Sequence, residues 1–103
     1  MSLPNEVRAV RSMLAKARAL GAAKFEVWTD DEGPDYVGGE DETIVEHAFS
    51  ADITAVVCVD ADGSRWGHVS LTPNNDGLVA DWIISEDGRA DKVAEHCISV
   101  AED

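Results

Sequence analysis

Residues 53–85 contain three short segments of mixed apolar and polar residues separated by two turn sequences, and this pattern constrains the fold most. The segments are 53–59, 65–72 and 78–85, and the turns are DADGS (60–64) and PNNDG (73–77). Short segments of this kind, joined by turns rich in glycine, asparagine and aspartate, are typical of β-hairpins. The sequence therefore predicts a meander of three antiparallel strands.

Helical patterns are found near both ends of the chain. Pro4 suits a first helical turn, and Gly21 is placed to end the helix. Its apolar stripe is Leu3, Val7, Val10, Leu14 and Ala17, and its arginines Arg8, Arg11 and Arg18 share another face. We expect those arginines to meet acids of the same chain. A second helix is predicted over residues 90–101, and both helices are expected to cover the sheet.

The part of the chain between the first helix and the meander is less regular. Residues 25–29 are predicted to form a short strand, and residues 30–42 an acidic loop. Residues 43–51 fit either a helix or a strand, and a short helix is favoured. The chain is therefore predicted to be a single α+β domain spanning residues 1–103. It should contain an N-terminal helix, an antiparallel sheet of about four strands, and a C-terminal helix.

The register of the meander follows from matching apolar faces, because a slip of one residue turns every side chain of a strand over. A three-residue turn at 61–63 and an even loop after residue 72 bring one set of residues together as the core. This set is Ile53, Ala55, Val57, Val59, Val69, Leu71, Leu78, Ala80, Trp82 and Ile84. The other face then carries Thr54, Val56, Cys58, Trp66, His68, Ser70, Val79, Asp81 and Ile83.

In this register His68 is predicted to lie directly opposite Asp81. We favour an ordinary cross-strand pair, although a carboxylate can also orient an imidazole for proton transfer. Ser70 lies two residues from His68, but the strained G-x-S-x-G turn of a serine nucleophile is absent from the sequence. No catalytic residue is predicted, and an enzyme or ligand-binding site around His68, Asp81 and Ser70 is the alternative interpretation.

The net charge of −13 is the strongest feature of the composition. Residues 1–24 hold five basic residues and one acid, whereas residues 25–103 hold three basic residues and 20 acids. An acidic body repels nucleic acid and anionic membranes, so neither is an expected partner. The charge can serve solubility alone, or it can attract a basic protein surface. With no charged-then-apolar leader and no apolar run of membrane length in the sequence, a cytoplasmic location is expected.

The histidines and cysteines predict no metal site and no cofactor. His47, His68 and His96 fall on three separate predicted elements, and Cys58 and Cys97 do not form a C-x-x-C pair. Both cysteines are interpreted as small buried apolar residues.

These features together predict a small acidic protein-binding module without catalysis, such as an inhibitor, an immunity-like protein or an accessory protein that acts on a basic surface. The second sheet face is too apolar for full exposure to water, so a homodimer through that face is also expected. The predicted binding residues are Trp66, His68, Asp81, Val56 and Ile83 on that face, and Asp30, Asp31 and Glu32 in the acidic loop.

Overall fold

A computed structural model describes residues 4–30, 32–73, 78–82 and 88–102 of the chain. These ranges contain three helices and five strands. In chain order they are α1 (Pro4–Ala19), β1 (Lys24–Trp28), β2 (Tyr36–Gly38), α2 (Asp41–Ala48), β3 (Thr54–Val59), β4 (Arg65–Leu71), β5 (Val79–Trp82) and α3 (Arg89–Glu102).

The five strands form one antiparallel sheet in the order β2-β1-β3-β4-β5. Buried side chains from α1, α2 and α3 join those of a single face of the sheet in one hydrophobic cluster. All the described helices therefore pack on the same face, and the domain has two layers. The predicted α+β class, with a helix at each end and a meander between them, is confirmed.

Both terminal helices form where the apolar periodicity predicts them. In α1 the stripe residues Val10, Leu14 and Ala17 are fully buried, whereas Leu3 lies outside the described residues. Gly21 follows the helix with a φ of 114°, a left-handed conformation that favours glycine. Residues 43–51 contribute to a helix as favoured, and this helix, α2, begins at Asp41.

The acidic loop predicted over residues 30–42 contains the short strand β2, so the sheet has five strands rather than about four. Tyr36 of β2 pairs with Val27 of β1, packs against the core and stacks on His47 with ring centroids 5.9 Å apart. A strand of three residues surrounded by acids and glycines is too short to show alternating apolar and polar residues in the sequence. Its formation therefore depends on the contacts of Tyr36 with distant residues.

A β-bulge in β4 makes the predicted register between β3 and β4 wrong. The turn itself is as expected, because Gly63 has a φ of 89° and the Asp60 amide donates to the Ser64 carbonyl oxygen at 2.8 Å. Val59 pairs with Arg65, but Cys58 pairs with Gly67, which leaves Trp66 as an extra residue. The bulge moves all later pairs by one residue.

From Ile53 to Cys58 the side chains consequently face the opposite way from the prediction, whereas Val59 is buried as predicted. Thr54, Val56 and Cys58 point into the core, whereas Ile53, Ala55 and Val57 lie on the other face. Trp66, Val69 and Leu71 of β4 are all buried, although 66 is even and 69 and 71 are odd. A regular strand alternates strictly between its faces, so burying all three requires the bulge.

The predicted pairing of His68 with Asp81 is also wrong. Asp81 pairs with Ser70, Val69 pairs with Trp82, and the register shifts again before Leu71, which pairs with Val79. The even loop assumed for the second turn does not allow for this shift. Residues 74–77 of that turn, and residues 83–85 of the predicted strand, lie outside the described residues.

Two basic residues of α1 pair with acids at the start of α2, as expected for arginines that meet acids of the same chain. Arg11 forms an ion pair with Glu42, and Arg18 binds both Asp41 and the Gly39 carbonyl oxygen. Both ion pairs are well exposed, so each contributes little to the free energy of unfolding. Their main effect is to orient α2 against α1.

Truncation of two neighbouring valines tests the register. Val56→Ala should lower the free energy of unfolding by about 2 kcal/mol, because Val56 is only 1% exposed and its loss leaves a cavity. Val57→Ala, on the half-buried opposite face, should cost about 0.5 kcal/mol. Urea unfolding of both variants measures the difference, and an equal or larger loss in Val57→Ala would contradict the observed register.

Candidate functional site

The sheet face opposite the described helices carries side chains aligned in rows across β1, β3 and β4. One row is Glu26, Val57 and His68, and the next is Trp28, Ala55 and Ser70. Ile53, just before β3, is 52% exposed on the same side. Ala55 and Val57 are half-buried although no described helix covers them. This open face therefore combines an apolar centre with polar side chains at both sides.

A groove of about 470 Å³ lies on this open face. It crosses three adjacent strands, each about 4.8 Å from the next, so it is wide enough for a long side chain or an extended segment. Its lining residues are Trp28, Thr29, Asp30, Ile53, Ala55, Val57, His68 and Ser70. Among these described lining residues, Asp30 is acidic and none is a lysine or an arginine.

Two of the predicted binding residues, Val56 and Trp66, lie in the core. Val56 is 1% exposed and Trp66 is 8% exposed. The guanidinium of Arg89 stacks 4.4 Å from the centre of the Trp66 ring and covers it. The bulge turns both residues towards the helices, and the apolar patch predicted around them is not a surface of the described structure.

The remaining predicted residues divide between the groove and parts of the chain outside the described ranges. His68 and Asp30 line the groove, together with Ser70 of the alternative site. Glu32 is exposed and lies two residues after Asp30 in the chain. Its amide donates to Asp30 Oδ1 at 2.9 Å. Asp31 and Ile83 lie outside the described residues.

His68, Ser70 and Asp81 do not form a compact catalytic group at the level of the backbone. His68 and Ser70 are two residues apart on one strand, which places their Cα atoms about 7 Å apart. Asp81 stands across from Ser70, so it is diagonal to His68. A nucleophile and its base need side-chain atoms about 3 Å apart, and this spacing does not supply that contact by itself.

The thiols do not offer a nucleophile either. Cys58 and Cys97 are both free and buried. Burial raises the pKa of each thiol to about 12, which leaves the reactive thiolate almost unpopulated at neutral pH. Both cysteines therefore behave as the small buried apolar residues that the sequence indicates.

Glu26 holds the Trp28 ring in place at the edge of the groove. Trp28 Nε1 donates to Glu26 Oε1 at 3.0 Å, and Arg65 Nε lies 3.0 and 3.1 Å from the two carboxylate oxygens. Burial alone would raise the pKa of Glu26. The hydrogen bonds from Arg65 and Trp28, together with the charges of Arg65 and Lys24, outweigh burial and lower that pKa below its ordinary value.

Hydrogen bonds within the chain also order the acidic rim of the groove. Asp35 accepts hydrogen bonds from both the amide and the hydroxyl of Thr29, and these bonds lower the pKa of Asp35. The Asp35 amide donates to the Val27 carbonyl oxygen at 2.7 Å. These bonds connect the two ends of the segment that contains Asp30, which is exposed and lines the groove.

The sequence gives little warning of the residues that form the floor of the groove. Both sets of alternate residues in 53–59 are largely apolar, so the pattern assigns Ile53, Ala55 and Val57 to the core. For Trp28 the sequence predicts only a position in a short strand. The spacing of Glu26 and Trp28 was the available signal, since residues two apart in a strand share a face and can form a hydrogen bond.

Within the described part of the chain, no group of three or more His, Cys, Asp or Glu side chains is arranged to hold a metal ion. In the same ranges, no helix has both the length and the apolar character needed to cross a bilayer.

Comparison of the chain with known proteins found no matching family model, no matching curated protein and no matching solved structure.

Replacement of Glu26 by glutamine tests the contribution of the hydrogen bonds that this carboxylate accepts from Trp28 and Arg65. A lowered pKa in the fold means that the carboxylate stabilises the protein above its unfolded pKa, near 4.5, and that this contribution is lost as the pH falls through the folded pKa. Glu26→Gln should therefore cost about 1 kcal/mol at pH 7 and much less at pH 3.

Urea unfolding at both pH values measures this change. The matched control is Glu46→Gln on the exposed side of α2, which should leave the free energy of unfolding unchanged at either pH. Identical pH dependence in Glu26→Gln and the unmodified protein would contradict the assigned role of Glu26.

Proposed function

We propose that this chain is a small protein-binding module without catalysis, and that its open sheet face binds a basic surface of another protein. The observation that carries the proposal is the groove, whose apolar floor is left uncovered by the described helices and is bordered by Asp30. An apolar surface bordered by charge is typical of a protein-binding site.

The charge of the chain favours a basic partner. The net charge is −13, and most of the basic residues lie in the first 24 positions. Arg11 and Arg18 of that segment already pair with acids of α2. A partner rich in lysine and arginine would be attracted over a long range, whereas nucleic acid would be repelled.

A small enzyme or ligand-binding protein is the second candidate function. It is favoured by one observation, that His68 and Ser70 line the same groove and Asp81 pairs with Ser70. The 7 Å spacing along the strand makes this candidate the weaker one. Ser70→Ala distinguishes the two functions, because it should abolish a serine-dependent reaction but change protein binding at the floor only slightly.

Site-specific cross-linking tests the binding function. A photoreactive amino acid replaces Ile53 on the open face or, as a control, the exposed Ala15 on α1. In extracts of the source organism, position 53 should give adducts with a discrete partner and position 15 should not. The partner, identified by mass spectrometry, should carry an excess of lysine and arginine at the cross-linked surface.

The same adduct should be sensitive to charge. We expect Asp30→Lys to reduce the yield of this adduct about tenfold, because the substitution replaces an attracting charge by a repelling one. We expect 1 M salt to have a similar effect, because the screening length falls from about 8 Å at physiological ionic strength to about 3 Å. Equal adducts from positions 53 and 15, or an acidic partner, would contradict the proposal. A cross-link to a second copy of the chain would assign the face to the homodimer instead.

A further inference from the structure

We propose that the groove is a receptor site for one arginine side chain presented by the partner protein. This inference rests on the proposed function and specifies the chemistry of its contact. Three features of the groove carry it: the indole of Trp28, the carboxylate of Asp30 and the aliphatic floor that β3 and Ile53 provide beside them.

The Trp28 ring is prepared to receive a cation. Its polar atom, Nε1, already donates to Glu26 at 3.0 Å, and Glu26 is held in turn by Arg65. The indole therefore has no hydrogen bond left to donate, and the interaction that it still offers is with its π face. Tryptophan is the aromatic side chain that binds cations best, and a fixed ring loses little entropy on binding.

Asp30 supplies the charge that an arginine requires. It is exposed, and its Oδ1 accepts the Glu32 amide at 2.9 Å, which orients the carboxylate. Two carboxylate oxygens accept about four hydrogen bonds, so one backbone amide does not exhaust them. A guanidinium can bind such a carboxylate through two parallel hydrogen bonds, whereas a lysine ammonium acts as a point charge.

The floor of the groove suits the stem of the same side chain. Ile53, Ala55 and Val57 provide an aliphatic surface along β3. Arginine and lysine bury their methylene groups on such surfaces while the charged head remains in contact with water. The volume of about 470 Å³ accommodates the side chain together with the backbone of the partner.

The chain contains an occupied site of the same composition. The guanidinium of Arg89 stacks 4.4 Å from the centre of the Trp66 ring and lies 3.1 Å from Asp60 Oδ1. It also donates to the Leu20 carbonyl oxygen at 3.2 Å. The groove offers a corresponding indole and carboxylate in Trp28 and Asp30, and neither lysine nor arginine is among the described residues that line it.

Nuclear magnetic resonance with short peptides tests the inference. The probes are acetyl-Gly-Arg-Gly-amide, the matching lysine peptide and the matching citrulline peptide, which is isosteric with arginine but uncharged. We expect millimolar binding of the arginine peptide, followed by the Trp28 indole N–H and the Ile53 methyl signals. Affinity should fall about threefold with lysine and about tenfold with citrulline.

Variants of the groove make the test specific. Asp30→Asn, which retains an oxygen for the Glu32 amide, should weaken the arginine peptide about fivefold, and Trp28→Leu about tenfold. Trp28→Phe keeps an aromatic face and should lose about twofold to threefold, which separates ring stacking from damage to the fold. Glu46→Gln, at an exposed acid of α2 on the other side of the sheet, should leave affinity unchanged.

Equal affinities for the arginine and citrulline peptides, or an equal effect of Asp30→Asn and Glu46→Gln, would overturn the inference. If these peptides fail to bind while position 53 still cross-links a basic protein, the arginine site is wrong but the binding function stands. If the peptides bind while position 53 captures no protein, the proposed function and the protein source of the arginine are both wrong.

Discussion

One extra residue in β4, Trp66, determines which side chains of the sheet are buried. Without it, a strand that places Trp66 in the core would turn Val69 and Leu71 outwards. The bulge allows all three to be buried, and it pairs Val56 rather than Ala55 with Val69. The stacking of Arg89 on the Trp66 ring and the contacts of Arg89 with Asp60 and Leu20 then connect α3, the turn between β3 and β4, and the segment after α1.

The open face is a consequence of the same bulge. Once Val56 and Cys58 point towards the helices, Ala55 and Val57 must point away from them, and the strands bring Trp28, His68 and Ser70 beside them. The two apolar faces of β3 therefore have different roles. One face stabilises the domain through burial, and the other forms the groove that we propose as a binding site.

The acidic stretch of residues 30–42, which ends in the first two residues of α2, differs in its contacts from one end to the other. Its final acids, Asp41 and Glu42, pair with arginines of α1. Its first acid, Asp30, lines the groove, and Asp30 Oδ1 accepts a hydrogen bond from the Glu32 amide. The charge of the sequence thus has a structural part, which orients α2, and a part that is available at the open face.

The sequence by itself determined the class of the fold, both terminal helices and the positions of the meander strands, because these depend on local periodicity and turn residues. It did not determine the register. Residues 53–59 are largely apolar in both alternating sets, so burial of either set looked acceptable. The tertiary packing, in which the bulge at Trp66 buries Trp66, Val69 and Leu71 together, selected one face. The candidate site followed from that choice: Asp30, His68 and Ser70 were identified from the sequence, whereas Trp28, Ile53 and Val57 became groove residues only through the tertiary structure.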